Sequence, residues 1–306
     1  MSEVPRPARR WQADLSLAVV ALIWGATFVV VQRALTNIST MYFLALRFSL
    51  AALCLLLTFF NAFRSASWSA IGRGLGGGFT AGIFLWIGYV LQTFGLKYTT
   101  AGHSGFITGF YVALVPAISA LLYRWWPQKR ELAGIAIATL GMSLLTFPAE
   151  QSFRINRGDL LTLGCAVAFA FHLLLLSYYS QREMFQAVTL GQILCAAVLS
   201  ALSTFFERPF AHWTGETILA ILLTGIFATA LAFAFQTWAQ KHTTPTRTAL
   251  IFAVEPVFAL LTSILFAGEA VTAAAIWGGA LILVGILVVE VRIGARTEVN
   301  SEQTLR

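Results

Sequence analysis

One carboxylate stands deep inside an otherwise uncharged stretch of this chain. Glu255 lies about ten residues from either end of the apolar run 246–267, and an ionisable group at such depth must face a protein interior or a water-filled path, not lipid. There it could bind a substrate ammonium, or take up and release a proton and so couple transport to a proton gradient. It could equally satisfy backbone groups freed by a kink, or pair with a basic residue. Pro256 follows it, removing a backbone donor and clashing with the carbonyl of Phe252, so a broken or kinked helix is expected at mid-depth. Arg47 sits roughly seven residues into the run 40–60. That is about 10 Å of rise against a half-thickness of about 15 Å. Its side chain could snorkel outward or pack and pair between helices, a structural or gating role that Pro116 and Pro256 would share.

His172 lies mid-span, where a neutral imidazole can bond a neighbouring helix or act as a ligand or proton relay. Gln92 and Gln236 could coordinate a substrate carboxylate or ammonium from two sides, or simply join helices. Trp24, Trp86, Tyr89, Phe110 and Tyr111 lie deep enough to wall a cavity suited to amphipathic or aromatic molecules, and so does Trp238. Packing alone would also account for each ring. Trp68, Trp125, Trp126 and Trp213 sit at span ends, as interfacial belt residues do.

The elements that must position these groups are membrane spans. Of the 306 residues, 58% are apolar and 11% charged, where a soluble domain carries about 25% charged residues. Uncharged runs long enough to span occur at 15–32, 74–96, 98–123, 132–149, 160–181, 184–206, 217–240 and 270–289, with 40–60 and 246–267 each broken by one ionisable residue. Ten spans are expected, with both termini on one side. Fourteen of the twenty Lys and Arg residues fall on that side; five (Arg33, Lys97, Arg154, Arg157, Arg208) fall on the other. By the positive-inside tendency both termini are cytoplasmic. The net charge of +7 is then an orientation signal, not a nucleic-acid footprint. Residues 15–32 read as a first span instead of a cleaved leader.

The chain also repeats itself. At an offset of 144, Gln92-Thr93 matches Gln236-Thr237, Lys97 matches Lys241, and Gly134 and Gly141 match Gly278 and Gly285; Asp14 and Asp159 match at 145. A five-span unit has been duplicated, and because five is odd the second copy enters the membrane from the opposite side. The expected fold is an all-α polytopic membrane protein: ten transmembrane helices forming two inverted five-helix repeats around a central cavity. The repeats are expected at 13–148 and 158–292, joined by a loop at 149–157 and flanked by tails 1–12 and 293–306. Cys54, Cys165 and Cys195 fall inside spans without metal-ligand spacing. The Gly74–Gly78 stretch lacks the Lys-Ser/Thr of a phosphate loop, and no hydrolase triad is visible. No cofactor, no metal and no catalytic role is therefore expected.

Trp24-Gly25, Arg47-Phe48, Lys97-Tyr98-Thr99-Thr100-Ala101-Gly102, the run Gly105 to Pro116, Glu255-Pro256 and Gly268-Glu269, in this order and spacing, resemble the drug/metabolite transporter superfamily in its EamA-type branch, over about residues 13–292. Position 47 is commonly Arg there. Phe169 stands where that branch often has Trp, and His172 is not usual in it. The resemblance implies a bacterial inner-membrane transporter exporting small metabolites, amino acids foremost, including aromatic or other amphipathic ones, by alternating access, either as a uniporter or coupled to protons. Its expected partners are a small-molecule substrate and the lipid bilayer, with no nucleic acid, and it is expected to work as a monomer. An importer or multidrug exporter of the same fold would read alike. A channel would not need inverted duplication, and a lipid enzyme would show paired acids or a nucleophile.

Overall fold

The computed structural model describes residues 7–99, 101–123, 128–146, 156–267 and 272–290. Thr100, the Trp125-Trp126 pair, Gly268-Glu269, most of the connecting loop and most of both tails lie outside the described residues. Of His103 only the backbone is described.

The helices are α1 (Pro7–Ala34), α2 (Thr40–Thr58), α3 (Phe60–Ser65), α4 (Trp68–Gly95), α5 (Ala101–Gly109), α6 (Tyr111–Tyr123), α7 (Lys129–Thr146), α8 (Arg157–Ser180), α9 (Phe185–Ser203), α10 (Gly215–Leu222), α11 (Ala232–Gln240), α12 (Pro245–Phe252), α13 (Glu255–Ala267) and α14 (Ala273–Glu290). A π-helix, Leu223–Leu231, joins α10 to α11. Eight stretches are long and apolar enough to cross a membrane; α7 and the apolar α14 complete ten passes, with α5–α6, α10–α11 and α12–α13 each counting as one.

Five helices, α1, α4, α7, α8 and α10, start before the charge-free runs that marked them, α1 and α4 by the widest margins. α4 begins at Trp68, where the Ser67 hydroxyl caps the Ala70 N–H, because Arg73 remains at the surface bonded to Glu183 and Ser69. α1 begins at Pro7, and Asp14 is held by Arg247 instead of ending the helix. The structure also moves the expected kink. The chain breaks in front of Glu255, at Ala253-Val254, and Pro256 sits in the first turn of α13, where a missing N–H costs nothing. The matching break, between Gly109 and Tyr111, owes nothing to Pro116, which lies inside α6.

Inversion is visible at the glycines. A side chain on Gly134 would strike the Gly285 carbonyl, one on Gly285 the Gly134 carbonyl, and one on Gly141 the Gly278 carbonyl. Residue numbers rise along one helix as they fall along the other, so the repeat-related α7 and α14 run antiparallel, and with them the two halves. The other contacts obey the same two-fold. α4 packs along α8 and α9 just as the π-helix segment packs along α1 and α2, and α1 lies against α12–α13 just as α8 lies against α5–α6.

Candidate functional site

Between the halves lies a cavity enclosing about 690 Å³ of non-atom space, its open mouth included. Its wall obeys the repeat. Trp24 and Phe169, Thr27 and His172, and Phe28 and Leu173 are mates at an offset of 145. Tyr89 and Phe233, Gln92 and Gln236, Thr108 and Phe252, and Tyr111 and Glu255 are mates at 144, and all fourteen line it. Both helix breaks deliver residues here: Thr108 and Tyr111 flank the first, Phe252 and Glu255 the second. Interrupted helices whose ends meet near the midplane are the usual way such folds build a site.

The rings form a tilted chain. Trp24 lies 5.1 Å from Phe252 and 5.4 Å from Phe233 between centroids, and Tyr89 meets Phe169 edge-on at 5.6 Å. Trp24 is fixed by its Nε1–H, which donates to the Ala228 carbonyl at 2.9 Å. α1 can approach this closely because residue 25 is glycine: a Cβ there would lie 2.6 Å from the Glu255 carbonyl oxygen and 2.9 Å from the Ala259 nitrogen.

Polar groups punctuate the wall. Arg47, only 4% exposed, donates from Nε to Thr229 Oγ1 at 2.7 Å, and from Nη2 to Tyr89 Oη at 3.2 Å and the Ala228 carbonyl at 3.3 Å; its guanidinium lies over the Tyr89 ring, 4.7 Å from the centroid. Both Ala228 and Thr229 belong to the π-helix, a distortion common at functional positions. His172 Nε2 sits 2.7 Å from Gln192 Oε1. The tautomer follows from its neighbours: Thr237 Oγ1 donates to the Phe233 carbonyl and accepts from Gln192 Nε2, so Gln192 Oε1 accepts and His172 Nε2 carries the hydrogen. Gln92 donates to Thr108 Oγ1 at 3.1 Å, whereas the buried Oε1 of its mate Gln236 has no partner.

Seven of the ten residues expected to wall the cavity or contact a ligand line it: Trp24, Tyr89, Gln92, Tyr111, His172, Gln236 and Glu255. Trp86, Phe110 and Trp238 do not; Trp238 packs its ring against His242 and accepts from it at its carbonyl. On α4 the wall takes Leu85, Tyr89, Gln92, Thr93 and Leu96, a single helical stripe, and Trp86 falls to its side among packed apolar residues. Phe110 projects from the break on the side away from Thr108 and Tyr111 and is exposed. Neither Pro116 nor Pro256 borders the cavity. Arg47, read from its depth as a packing or snorkelling residue, is on the wall. Thr27, Phe28, Thr108, Leu173, Phe233 and Phe252 were missed; the repeat offset applied to His172 and Tyr89 points to Thr27 and Phe233, while no expected residue points to the other four.

The cavity departs from two-fold symmetry in one direction. Val31 and Leu96, towards the ends of α1 and α4 and themselves only 7% and 5% exposed, line it, whereas their mates Leu176 and Gln240 are fully buried and do not line it. The space therefore extends towards the far face of the bundle, opposite the face where α1 begins. The near face is closed by Arg247, whose Nη2 and Nε reach the two Asp14 carboxylate oxygens at 2.6 and 2.9 Å, and by Gln181, which donates to the Gln240 and Thr243 carbonyls. At the far face, Glu207 accepts from the Thr40 and Met41 N–H groups.

The sequence profile of the EamA-like transporter family matches residues 11–147 and 156–291. An uncharacterized transporter of Archaeoglobus fulgidus is 37% identical over 285 residues, covering 93% of this chain and 88% of that one. A probable amino-acid metabolite efflux pump of Salmonella typhimurium is 24% identical, covering 88% of this chain and 92% of that one. A crystal structure at 21% identity superposes with a TM-score of 0.74, covering 92% of this chain and 96% of that chain, and shares the fold.

Proposed function

The chain belongs to the EamA-like transporter family, and from that premise we propose that it exports small metabolites, amino acids foremost, across a bacterial inner membrane by alternating access. One observation carries the reading: a single cavity built from two-fold mates that reaches towards one face while the equivalent residues at the other face are packed shut. Exchanging the shapes of the two halves would open the near face and close the far one. The Lys and Arg asymmetry puts the near face, with both termini, in the cytoplasm. The described conformation is then outward-facing, in a chain that works as a monomer. The relative named as an amino-acid metabolite efflux pump supports the substrate class and the direction. Glu255 is the group proposed to couple efflux to protons, with His172 beside the same cavity.

The test is flux in liposomes containing the purified chain and a panel of labelled amino acids. Saturable uptake accelerated by unlabelled amino acid on the far side is expected; linear, unsaturable flux would refute alternating access. Glu255→Gln is expected to abolish dependence of the remaining flux on a pH gradient, and unchanged dependence would remove the coupling role.

A further inference from the structure

The cavity wall is built largely from two-fold mates, but its charges are not paired across the two-fold. Arg47 has Gln192 as its repeat mate and Glu255 has Tyr111, so each half contributes one charge for which the other half has an uncharged residue. Neither charge is spent within the protein. The ion pairs among the described residues are Arg73–Glu183, Lys97–Glu207 and Arg247–Asp14, and none of them involves Arg47 or Glu255. Around Arg47 stand neutral acceptors and two ring faces, Tyr89 and Phe48; its Nη1 has no hydrogen-bond partner among the described residues. The Glu255 carboxylate likewise has none, at the first residue of α13. A guanidinium left buried without a counter-ion is costly, and within a membrane more so. The arrangement recovers that cost only when an anion arrives.

The same wall also holds unpaired acceptors. Gln236 is 1% exposed and its Oε1 is unpartnered. His172, with its hydrogen fixed on Nε2, keeps Nδ1 as a lone-pair acceptor. We propose that the site is built for a zwitterion: Arg47 Nη1 receives the substrate carboxylate, and Glu255, with Gln236 Oε1, receives its ammonium. The side chain of the ligand then lies along the Trp24, Phe233 and Phe252 rings. The inference rests on the amino-acid reading above and adds to it that both ionised ends are required.

The experiment uses the full chain in liposomes. The amino acid that exchanges best from the labelled panel is competed against its own carboxamide, its N-acetyl derivative and the corresponding decarboxylated amine. Each derivative loses one charge, and a site that buries its partner discriminates strongly, so competition about a hundredfold weaker than by the free amino acid is expected. If the amide or the amine competes within about threefold, Arg47 does not read the carboxylate and the proposal falls, while amino-acid transport stands. Should no free amino acid exchange at all, the underlying reading fails and the zwitterion site falls with it. Arg47→Gln is expected to erase discrimination between acid and amide, with Arg47→Lys restoring part of it; Glu255→Gln should erase discrimination against the N-acetyl form. The wild-type competition series decides the question even where a variant does not fold.

Discussion

Replacing Asp14 by Asn attacks the contact that closes the near face. The Asp14–Arg247 pair is bidentate, at 2.6 and 2.9 Å, with side chains 21% and 25% exposed on the Arg and Asp sides. Hydrogen bonds to charged groups contribute about 1.5–3 kcal/mol; discounted for partial exposure, the pair holds α1 to α12 by roughly 1–2 kcal/mol. Because the pair joins α1 to α12 where the bundle is shut, that energy belongs to the near-closed state alone. At 1.4 kcal/mol per factor of ten, Asp14→Asn should raise the near-open population roughly 5- to 30-fold. The assay is alkylation from the near side of a cysteine at position 176, whose native Leu is fully buried, in a chain with Cys54, Cys165 and Cys195 replaced. The labelling rate follows the open population when opening is fast, so it should rise by the same factor and fall back when Asp14→Arg is combined with Arg247→Asp. A rate within twofold of the parent, or no recovery in the exchanged pair, would refute the reasoning.

Gly25→Ala puts a methyl 2.6 Å from the Glu255 carbonyl oxygen, against backbone that cannot rotate away. A loss of about 1–3 kcal/mol in unfolding free energy and impaired flux are expected, measured by denaturation in detergent and by counterflow. At the α7–α14 seam, Gly134→Ala and Gly285→Ala should destabilise similarly, whereas Gly76→Ala, with open space around it, should be neutral or stabilising by up to about 1 kcal/mol. Gln192→Leu leaves the His172 Nε2–H without its acceptor and should cost about 1–3 kcal/mol, read as a lowered thermal midpoint. An unchanged midpoint would show that the bond is not held in solution.

Much of the architecture was legible in one dimension because the solvent is a bilayer. A charge in hydrocarbon is expensive, so the intervals between charges outlined the passes, and Glu255, inside one such interval, had to face protein. Where a charge has a surface partner the rule loses its edge, as Arg73 and Asp14 show at the starts of α4 and α1. The break near Glu255 was readable from Pro256. Its counterpart at Phe110 was not, because no proline marks it and only the repeat offset connects the two.

Within the site, depth along a helix was readable and azimuth was not. Trp86 and Tyr89 are equally deep and chemically alike, yet only Tyr89 reaches the wall, since rotation about α4 is set by glycines packing against α8 and α9. The pattern of charges and the odd-numbered duplication determined, without coordinates, a bundle of inverted halves with one acidic group at its centre. Only the tertiary structure decided that Arg47 joins that centre and that the cavity reaches the far face. Val31 and Leu176 hold equivalent places in the duplicated chain, and which of them meets open space depends on which of two nearly equal packings the bundle adopts.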